Sequence, residues 1–418
     1  MSTPPPRTAP DAFVAAFDRL TERRRTRRLA SLHSLADVRA AAKRALPPMV
    51  FDFVDGGAED ERTVRGNREG FDRWWFVPQI LNDVGERSQR TEVLGVARRS
   101  PLVMSPAGLV GLAWPHGEAA AASAAGEFGV PFAVSSMSSV SVEDVRAATD
   151  EALWIQLYLW RDRDATEALV RRSAALGYET LCLTVDVPVT GQRERDLRNG
   201  MTIPPKIGVR NAFGVATRPG WALRVATAGV TFANIEQGAG SRDTMRLGAY
   251  VNGQLNPTAT WDDLRWLREI WPGKLVVKGV LDPTAAKQLV DFGVDGVVVS
   301  NHGGRQLDGA IPAIDALAGI VSAVDGQADV LLDGGVRRGS DVVKAVALGA
   351  TAVMFGRPYV FGLAAGGPAG VARVLELLEA EIDRVLALLG VAHLDDVRGR
   401  ADDLLVDAVR AGSPTGRA

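Results

Sequence analysis

The chain has little cysteine, little histidine and no long apolar run. One cysteine among 418 residues excludes an internal disulfide, so Cys182 is expected to fill core space in a reducing cytoplasm. No stretch approaches the roughly 20 uninterrupted apolar residues that a membrane-spanning helix needs, and the N-terminus lacks an apolar signal core. The formal net charge of −2 gives no general reason to expect a nucleic-acid partner. We therefore expect a cytoplasmic protein that is not integral to a membrane.

Composition and length are those of one large soluble domain. Apolar residues make up 46% and charged residues 23% of the chain, which is ordinary for a protein with a substantial core. The chain starts with a proline run and a basic cluster between Arg23 and Arg28, which favour a solvated tail over contact with anionic lipid. We expect residues 1–30 to form a flexible N-terminal tail, residues 31–400 one folded domain and residues 401–418 a C-terminal tail.

From about Pro101 onward, short apolar runs alternate with longer segments rich in alanine and leucine, as in repeated βα units. Most of the runs are apolar throughout, because strands of a parallel barrel are covered on both faces. The eight candidate strands are Leu102–Ser105, Phe132–Ser135, Trp154–Leu157, Leu181–Val185, Leu275–Lys278, Gly296–Ser300, Val330–Asp333 and Ala352–Gly356. This pattern favours a closed (β/α)8 TIM barrel of the α/β class. An open sheet is the alternative, although no G-x-G-x-x-G follows the first strand.

Glycines stand at the predicted C-terminal ends of several helices. Residues 283–292 have the pattern of a helix that Gly293 stops, and the same rhythm recurs at residues 340–349 and 120–129. Residues 1–100 precede the first barrel strand and are expected to supply helices that plug or flank the barrel. Residues 36–45 are the clearest amphipathic segment there.

An over-long connection, residues 199–256, follows the fourth predicted strand. Connections of this length with little regular structure are often lids or binding loops. Within it, residues 220–226 have two interpretations, an interfacial helix or, more favoured, an ordinary packing turn.

Polar residues gather where the predicted strands end, and in a barrel those ends meet at the rim that carries the active site. His302 follows one strand in a glycine-flanked loop, and Asp186 ends another strand and could hold its tautomer. A lone loop histidine is more often a surface residue, but the aspartate raises the catalytic interpretation above that one. Arg305 and Arg193 could converge on a substrate carboxylate, although each alone would by default be solvated or half of a salt bridge.

The loops after the seventh and eighth predicted strands combine glycines with arginines, in Gly334-Gly335-Val336-Arg337 and Gly356-Arg357. Glycines let backbone N–H groups approach an anion and arginines add charged donors, so the two loops together predict a phosphate site. Tight turns alone would explain either loop but not readily both. Lys278 ends an apolar strand, where an ammonium is costly without an anion. A cofactor anion and a structural pair with a buried carboxylate explain it equally well.

Three stretches together resemble the FMN-dependent L-2-hydroxy acid oxidases and dehydrogenases. They are Ser300-Asn301-His302-Gly303-Gly304-Arg305-Gln306-Leu307-Asp308, Asp333-Gly334-Gly335-Val336-Arg337-Arg338-Gly339, and Thr184-Val185-Asp186-Val187-Pro188 with Gly191-Gln192-Arg193. The likeness runs from about Ala36 to Leu389. It implies FMN as cofactor, no metal, oxidation of a 2-hydroxy acid to the 2-keto acid, and a homotetramer. The implied electron acceptor is a quinone, a cytochrome or dioxygen, and peripheral membrane contact is a further expectation.

The resemblance also implies roles for single residues. His302 would be the base that takes the Cα or hydroxyl proton, with Asp186 as its partner. Arg305 and Arg193 would bind the substrate carboxylate, Tyr158 would hydrogen-bond near the substrate, and Lys278 would stabilise the reduced flavin. The flavin ring and ribityl chain would be lined by Pro106, Ala107, Gly108, Ser135, Gln156, Thr184 and Ser300. The ribityl chain and phosphate would be held by Asp333, Gly335, Arg337, Gly356 and Arg357.

Three positions depart from the family's pattern. Phe53 stands where the family usually has a tyrosine whose hydroxyl contacts the substrate carboxylate. Gly108 stands where several members have alanine, and members with glycine there tend to be poor oxidases, so we expect a quinone or protein acceptor. Met137 stands where some members carry a bulky aromatic residue, so we expect a pocket for larger or apolar side chains.

The favoured function is oxidation of an L-lactate-like or larger 2-hydroxy acid, for example a mandelate-like one. A modified peptide-derived amine is an alternative substrate because Phe53 is atypical, but Arg193 and Arg305 together argue for a carboxylate. A non-catalytic flavin-binding protein is a third hypothesis. A phosphosugar isomerase or aldolase on the same barrel would also explain the phosphate loops.

Overall fold

The computed structural model describes residues 27–201, 208–228, 232–234 and 253–411, and an N-terminal extension precedes the barrel strands. The extension comprises α1 (Leu35–Ala45), α2 (Pro48–Asp55), α3 (Arg62–Asp72), β1 (Trp74–Phe76), β2 (Thr91–Val93) and β3 (Val96–Arg98). α1 begins after Ser34, whose hydroxyl accepts from the amide of Asp37 as an N-cap. The predicted helical extension, with its amphipathic segment at residues 36–45, is confirmed.

Eight parallel strands close into a barrel, so the predicted TIM-barrel fold is confirmed. The barrel strands are β4 (Leu102–Met104), β5 (Phe132–Ser135), β6 (Leu153–Tyr158), β7 (Thr180–Thr184), β8 (Lys274–Val280), β9 (Gly296–Val299), β10 (Asp329–Asp333) and β11 (Ala352–Phe355). Closure is made by β11 and β4, which pair through Val353 and Leu102. Each observed strand end lies within two residues of its predicted position, because the runs are apolar throughout and turn residues flank them.

Alternate residues along the barrel strands point to opposite faces and belong to two hydrophobic clusters, one outside and one inside the barrel. One set packs against the surrounding helices in the main hydrophobic cluster. The other set forms a small interior cluster that includes Trp154, Val298 and Met354, and Val93 and Leu94 of the β2–β3 hairpin join it. That hairpin therefore plugs one end of the barrel. Cys182 on β7 is fully buried, and burial raises the pKa of its thiol to about 12.

The helices that follow are α4 (Gly117–Glu127), α5 (Val142–Ala147), α6 (Arg163–Ala175), α7 (Glu194–Asn199), α8 (Val209–Ala216), α9 (Pro219–Ala228), α10 (Trp261–Ile270), α11 (Pro283–Phe292), α12 (Ala313–Val324), α13 (Gly339–Ala347), α14 (Arg357–Gly366) and α15 (Pro368–Leu389). The prediction that Gly293 ends α11 is confirmed, because its φ of +92° is the left-handed cap that glycine adopts without strain. α4 and α13 begin one to three residues earlier than predicted. No helix in the described ranges is long and apolar enough to cross a bilayer.

The long connection begins at the last residue of α7 and contains α8 and α9, while residues 202–207, 229–231 and 235–252 lie outside the described residues. Residues 220–226 belong to α9, so the favoured interpretation as a turn was wrong. Trp221 explains the difference: its ring is buried and its Nε1 donates to the carbonyl of Leu112 at 2.7 Å. A tertiary contact thus stabilises a helix that the local sequence favours only weakly.

Both predicted tail boundaries differ from the structure. Residues 27–30 are helical and Leu29 is buried against Gly366, whereas residues 1–26 lie outside the described residues. At the other end, α16 (Ala401–Leu404), β12 (Leu405–Asp407) and α17 (Ala408–Ala411) follow residue 400. β12 pairs antiparallel with β1, with Val406 opposite Trp75. Residues 401–411 are therefore part of the folded unit, and residues 412–418 lie outside the described range.

Candidate active site

A cavity of about 260 Å³ opens where the barrel strands end. Loops after six of the strands reach it, together with α2 from the N-terminal extension. The predicted site residues that line it are Phe53, Pro106, Ala107, Gly108, Met137, Tyr158, Arg193, Lys278, His302, Arg305, Asp333, Gly335, Arg337, Gly356 and Arg357. Residues separated by up to 304 positions therefore meet at one rim, as the barrel topology requires.

His302 and Asp186 form a hydrogen-bonded pair at this rim. Nδ1 of His302 lies 2.9 Å from Oδ1 of Asp186, and the His302 ring stacks on Tyr158 with centroids 6.4 Å apart. Burial raises the pKa of Asp186, but the opposing charge and hydrogen bond of His302 outweigh it, so the net pKa is lowered. An ionised Asp186 accepts from Nδ1–H, which leaves Nε2 of a neutral His302 as the basic nitrogen.

The loop that carries His302 has an unusual backbone. His302, Gly303 and Gly304 have φ angles of +57°, +63° and +75°, so three successive residues are left-handed. Glycine adopts this region freely, whereas a histidine there is uncommon. Its amide donates to Oγ of Ser300 at 3.0 Å, which helps to hold the turn.

Arg193 and Arg305 lie on the ring of Phe53, with their guanidinium carbons 5.2 and 5.4 Å from its centroid. Arg193 also pairs with Asp196 at 2.9 Å. Arg305 donates to the carbonyl oxygens of Phe53 and Gly56 at 2.8 and 2.9 Å, and within the described ranges it forms no salt bridge. Burial and the charge of Arg193 lower the pKa of Arg305 well below its usual value. The two neighbouring guanidiniums thus have one salt-bridged carboxylate, Asp196, among the described residues. The positive charge that remains favours binding of a further anion.

A second cationic region lies beside the glycine loops. Burial and the charges of Arg357 and Arg68 lower the pKa of Arg337 to about 9. Arg357 donates to the carbonyls of Gly303 and Gly56, both at 2.8 Å, and among the described residues neither Arg337 nor Arg357 forms a salt bridge.

The glycine loop beside these arginines lines the cavity and is held in place by close backbone packing. Gly335 has a φ of +81°, and a Cβ there would collide with the carbonyl of Asn67, so the backbone approach requires glycine. Asp341 accepts from the amides of Arg337 and Arg338 at 2.8 and 3.0 Å and thereby fixes the loop. The glycine loop and unneutralised arginines fit a phosphate monoester.

Lys278 has a carboxylate partner. Its Nζ lies 2.9 Å from Oδ2 of Asp333 and 2.9 Å from Oγ of Ser300, and Asp333 also accepts from Ser105 at 2.6 Å. Burial lowers the pKa of Lys278, but Asp333 and Asp186 outweigh it and the net pKa is raised. The structural ion pair is therefore present. Lys278 also lines the cavity, and its pairing with a cofactor anion there stays a prediction.

Four predicted cofactor residues are buried but do not line the cavity: Ser135, Gln156, Thr184 and Ser300. The first three form a hydrogen-bonded row in which Ser135 donates to Gln156 at 2.9 Å and Gln156 donates to Thr184 at 3.0 Å. Their contact with a cofactor stays a prediction.

Sequence reasoning missed several lining residues. Phe232 and Leu255 come from the long connection, and no local pattern marked them. Ser105 could have been found, because it ends the first predicted strand. Sequence reasoning also missed Arg68 and Asn67, which do not line the cavity but contact loops beside it, at Gly335 and Asn301. Both lie on α3, whose polar sequence resembles that of a solvent-facing helix.

The family model for FMN-dependent dehydrogenases matches residues 42–403. The chain is 40% identical over 412 residues to a putative L-lactate dehydrogenase of Mycobacterium tuberculosis, covering 98% of both chains. It is 44% identical over 361 residues to the (S)-mandelate dehydrogenase of Pseudomonas putida, covering 86% of this chain and 91% of that one. It is 43% identical over 368 residues to an L-lactate oxidase of a Nostoc species, covering 87% and 96%.

The chain is also similar to solved structures of mandelate dehydrogenase and mandelate oxidase. A crystal structure of the monotopic membrane protein (S)-mandelate dehydrogenase matches with a TM-score of 0.86 and 42% identity, covering 90% of this chain and 100% of that one. A mandelate oxidase matches with a TM-score of 0.75 and 37% identity, covering 88% and 97%. The cavity brings together His302 with its partner Asp186, two neighbouring guanidiniums and a glycine loop flanked by arginines. The chain belongs to the family of FMN-dependent dehydrogenases and is an oxidoreductase that uses FMN to oxidise the CH–OH group of a 2-hydroxy acid.

Proposed function

We propose that the substrate is an L-2-hydroxy acid with a large apolar side chain, mandelate-like rather than lactate-sized. The observation that carries the proposal is the mixed lining of the cavity. Arg193, Arg305 and His302 supply the groups for a hydroxy acid, while the side chains of Leu109, Met137, Val187, Phe232 and Leu255 line the same cavity. An apolar wall of this kind favours a substrate that buries a large side chain.

The proposed mechanism assigns the carboxylate of the substrate to Arg305 and Arg193. Burial, with a further contribution from the charge of Asp186, raises the pKa of Tyr158 to about 12, so its neutral hydroxyl can donate to the substrate. Nε2 of His302 takes the Cα proton or the hydroxyl proton, and Asp186 stabilises the resulting imidazolium. FMN, when bound, supplies the two-electron acceptor for this oxidation.

The residues that would hold FMN fall into two groups. Arg337, Arg357 and the backbone of Gly335 would bind its phosphate. Residues 106–108 and Lys278 would border its ring. Lys278 carries a buried positive charge beside Asp333, and such a charge favours negative charge developing nearby.

An anaerobic substrate screen tests this function. The yellow holoenzyme is mixed with L-lactate, with (S)-mandelate and with longer aliphatic L-2-hydroxy acids, and bleaching of the flavin absorption is followed. We expect kcat/KM to be roughly 10-fold or more higher for mandelate than for lactate, the discrimination that a few buried methylenes give. His302→Gln should keep the yellow colour and lose the bleaching. A preference for lactate, or bleaching only by amines, would contradict the proposal.

We also propose that a quinone or a protein, rather than dioxygen, accepts the electrons. The support is the resemblance, in which members with glycine at the position of Gly108 tend to be poor oxidases, together with the location of Gly108 in the cavity lining. In a stopped-flow experiment, the substrate-reduced holoenzyme is mixed with air-saturated buffer or with a soluble quinone. We expect the quinone to reoxidise it at rates that match turnover and air to be slower. Reoxidation by air at the turnover rate would refute this acceptor assignment.

Peripheral membrane contact is a third proposal, made for a bilayer containing anionic lipid. Its support is the likeness to the (S)-mandelate dehydrogenase that is a monotopic membrane protein, together with two exposed apolar side chains near the long connection. Leu197 on α7 is 63% exposed and Phe213 on α8 is 79% exposed. The test is cosedimentation of the holoenzyme with vesicles. The variant Leu197→Ser/Phe213→Ser should bind less, whereas Leu388→Ser, at a 70% exposed site on α15, should bind normally. An equal loss of vesicle binding in the two variants would show that Leu197 and Phe213 do not form the membrane contact.

The homotetramer remains a proposal that the resemblance supports. Light scattering on the purified holoenzyme should then give four times the chain mass of 44.5 kDa. A monomeric mass at micromolar concentration would contradict it.

A further inference from the structure

The side chains of Asn67 and Asn301 form a reciprocal pair of hydrogen bonds. Nδ2 of Asn67 donates to Oδ1 of Asn301 at 2.8 Å, and Nδ2 of Asn301 donates to Oδ1 of Asn67 at 2.8 Å. Each oxygen also accepts from a backbone amide, that of Gly304 at 3.2 Å and that of Ala313 at 3.2 Å. These backbone donors fix which amide atom is oxygen. Both side chains are buried, at 2% and 4% exposure.

The pair holds the loop that carries the base. Asn301 immediately precedes His302, and its side chain also reaches the amide of Gly304, next to Arg305, and the carbonyl of Ile311 at 3.0 Å. Between these contacts lie the three left-handed residues 302–304. Because a histidine at positive φ is unfavourable by itself, surrounding contacts must impose the conformation. The Asn67–Asn301 pair is such a contact, and its Asn67 side chain comes from α3, which lies outside the barrel.

The same turn of α3 contacts the phosphate loop. The carbonyl of Asn67 lies against Gly335, where it leaves no room for a Cβ. The next residue, Arg68, donates to the carbonyl of Gly335 and to Asp341 at 2.7 Å. One helical turn of the N-terminal extension therefore touches both the catalytic loop and the loop with Arg337.

We propose that Asn67 is a positioning residue for the reaction: through Asn301 it sets the backbone of residues 302–305 and so places the base and the carboxylate-binding arginine. The inference rests on the proposed function for the roles of His302 and Arg305. Asn67 does not line the cavity, so it acts through Asn301 and not on the substrate. Buried and fully satisfied polar pairs of this kind specify a single local conformation.

Asn67→Ala and Asn67→Ser, each in the holoenzyme, test the inference by two measurements. Hydrogen exchange of peptides covering residues 300–306 should be roughly 10-fold or more faster in the variants, since the loop loses its anchor. The rate of anaerobic flavin reduction should fall roughly 10- to 100-fold with retained FMN, the range that couplings between contacting buried groups reach. Asn301→Ala should have an effect at least as large, because it also removes the contacts to Gly304 and Ile311. The double variant should lose no more than Asn301→Ala alone.

Thr166→Val is the matched control, because Thr166 is fully buried and its hydroxyl donates to the carbonyl of Asp162 at 2.9 Å on α6, away from the site. It should lower the melting temperature without changing exchange at residues 300–306. If the Asn67 variants behave like this control, the role of Asn67 is structural and the inference is wrong. Hydrogen exchange needs no substrate, so it decides the point even if no 2-hydroxy acid reduces the flavin, an outcome that would overturn the proposed function instead.

Discussion

Oδ1 of Asp186 lies 2.9 Å from Nδ1 of His302, whereas Oδ2 of the same carboxylate is buried with no hydrogen-bond partner among the described residues. The carboxylate is thus committed to one partner, and its charge is the local counter-charge for a protonated His302. Asp186→Asn removes that charge at constant volume. We expect the anaerobic rate of flavin reduction to fall about 10²- to 10⁴-fold, the usual contribution of general base catalysis. A rate within about threefold of the wild type would remove Asp186 from the mechanism.

Gly279 makes room for this aspartate. It has a φ of +103°, and a Cβ there would lie 2.7 Å from both Cβ and Cγ of Asp186. Gly279→Ala should therefore displace Asp186 and slow flavin reduction roughly 10-fold or more, as small displacements at a reacting centre do. Gly293→Ala is the matched control, because its φ is +92° with nothing within 4 Å of the added Cβ. Both variants carry the strain of a left-handed alanine, about 1–2 kcal/mol, but only the first should lose activity per bound FMN.

The ring of Phe53 lies close to the guanidiniums of both Arg193 and Arg305 and offers them no hydrogen bond. Phe53→Tyr adds a hydroxyl next to the region where these arginines would hold a carboxylate. We expect KM for the 2-hydroxy acid to fall roughly 2- to 10-fold with kcat little changed, which corresponds to one added hydrogen bond of about 0.5–1.5 kcal/mol. Steady-state kinetics check this, and the dissociation constant of the 2-keto acid product should change in parallel. An increase in both constants would show that the hydroxyl does not reach the carboxylate.

The buried pair Lys278–Asp333 predicts how stability depends on pH. Burial raises the pKa of Asp333, but Lys278 outweighs it and the net pKa is lowered, so its stabilisation is fully present above about pH 4 and is lost as pH falls through the folded value. The pKa of Lys278 is raised, so its stabilisation is present below about pH 10 and is lost at still higher pH. Urea unfolding with FMN in constant excess should show a loss of stability as the pH falls below about 4.

Asp333→Asn should remove much of that acid loss. It should also lower the free energy of unfolding at neutral pH by about 3–5 kcal/mol, because it leaves a buried ammonium without its carboxylate. Asp262→Asn, at an 81% exposed side chain, is the control and should change little. An unchanged acid slope in Asp333→Asn would assign the pH dependence to other carboxylates.

The barrel could be predicted because its signals are local. The strands are apolar throughout and bounded by turn residues, and the topology then brings the residues at their ends, such as His302, Asp186 and Arg337, to one rim. That placement made a pair of His302 and Asp186 possible, and the structure shows the hydrogen bond between them.

The parts that sequence reasoning missed depend on contacts between distant segments. β12 is three residues long and exists because it pairs with β1, more than 300 positions earlier. α9 is a helix because Trp221 is held by a carbonyl on another loop. Asn67 lies on a helix of polar sequence, and only its pairing with Asn301 shows that this face is buried. Long-range pairing of this kind leaves no periodic signal in the chain.

The buried thiol on β7 has a practical use. Because the chain has one cysteine, every reaction with a thiol reagent reports on a single position. Cys182 is fully buried and burial raises the pKa of its thiol to about 12. Alkylation at neutral pH therefore requires the barrel to open locally around β7. Alkylation rates measured with and without FMN would therefore report how much the cofactor reduces local opening of the barrel around Cys182. No label has to be introduced into the chain.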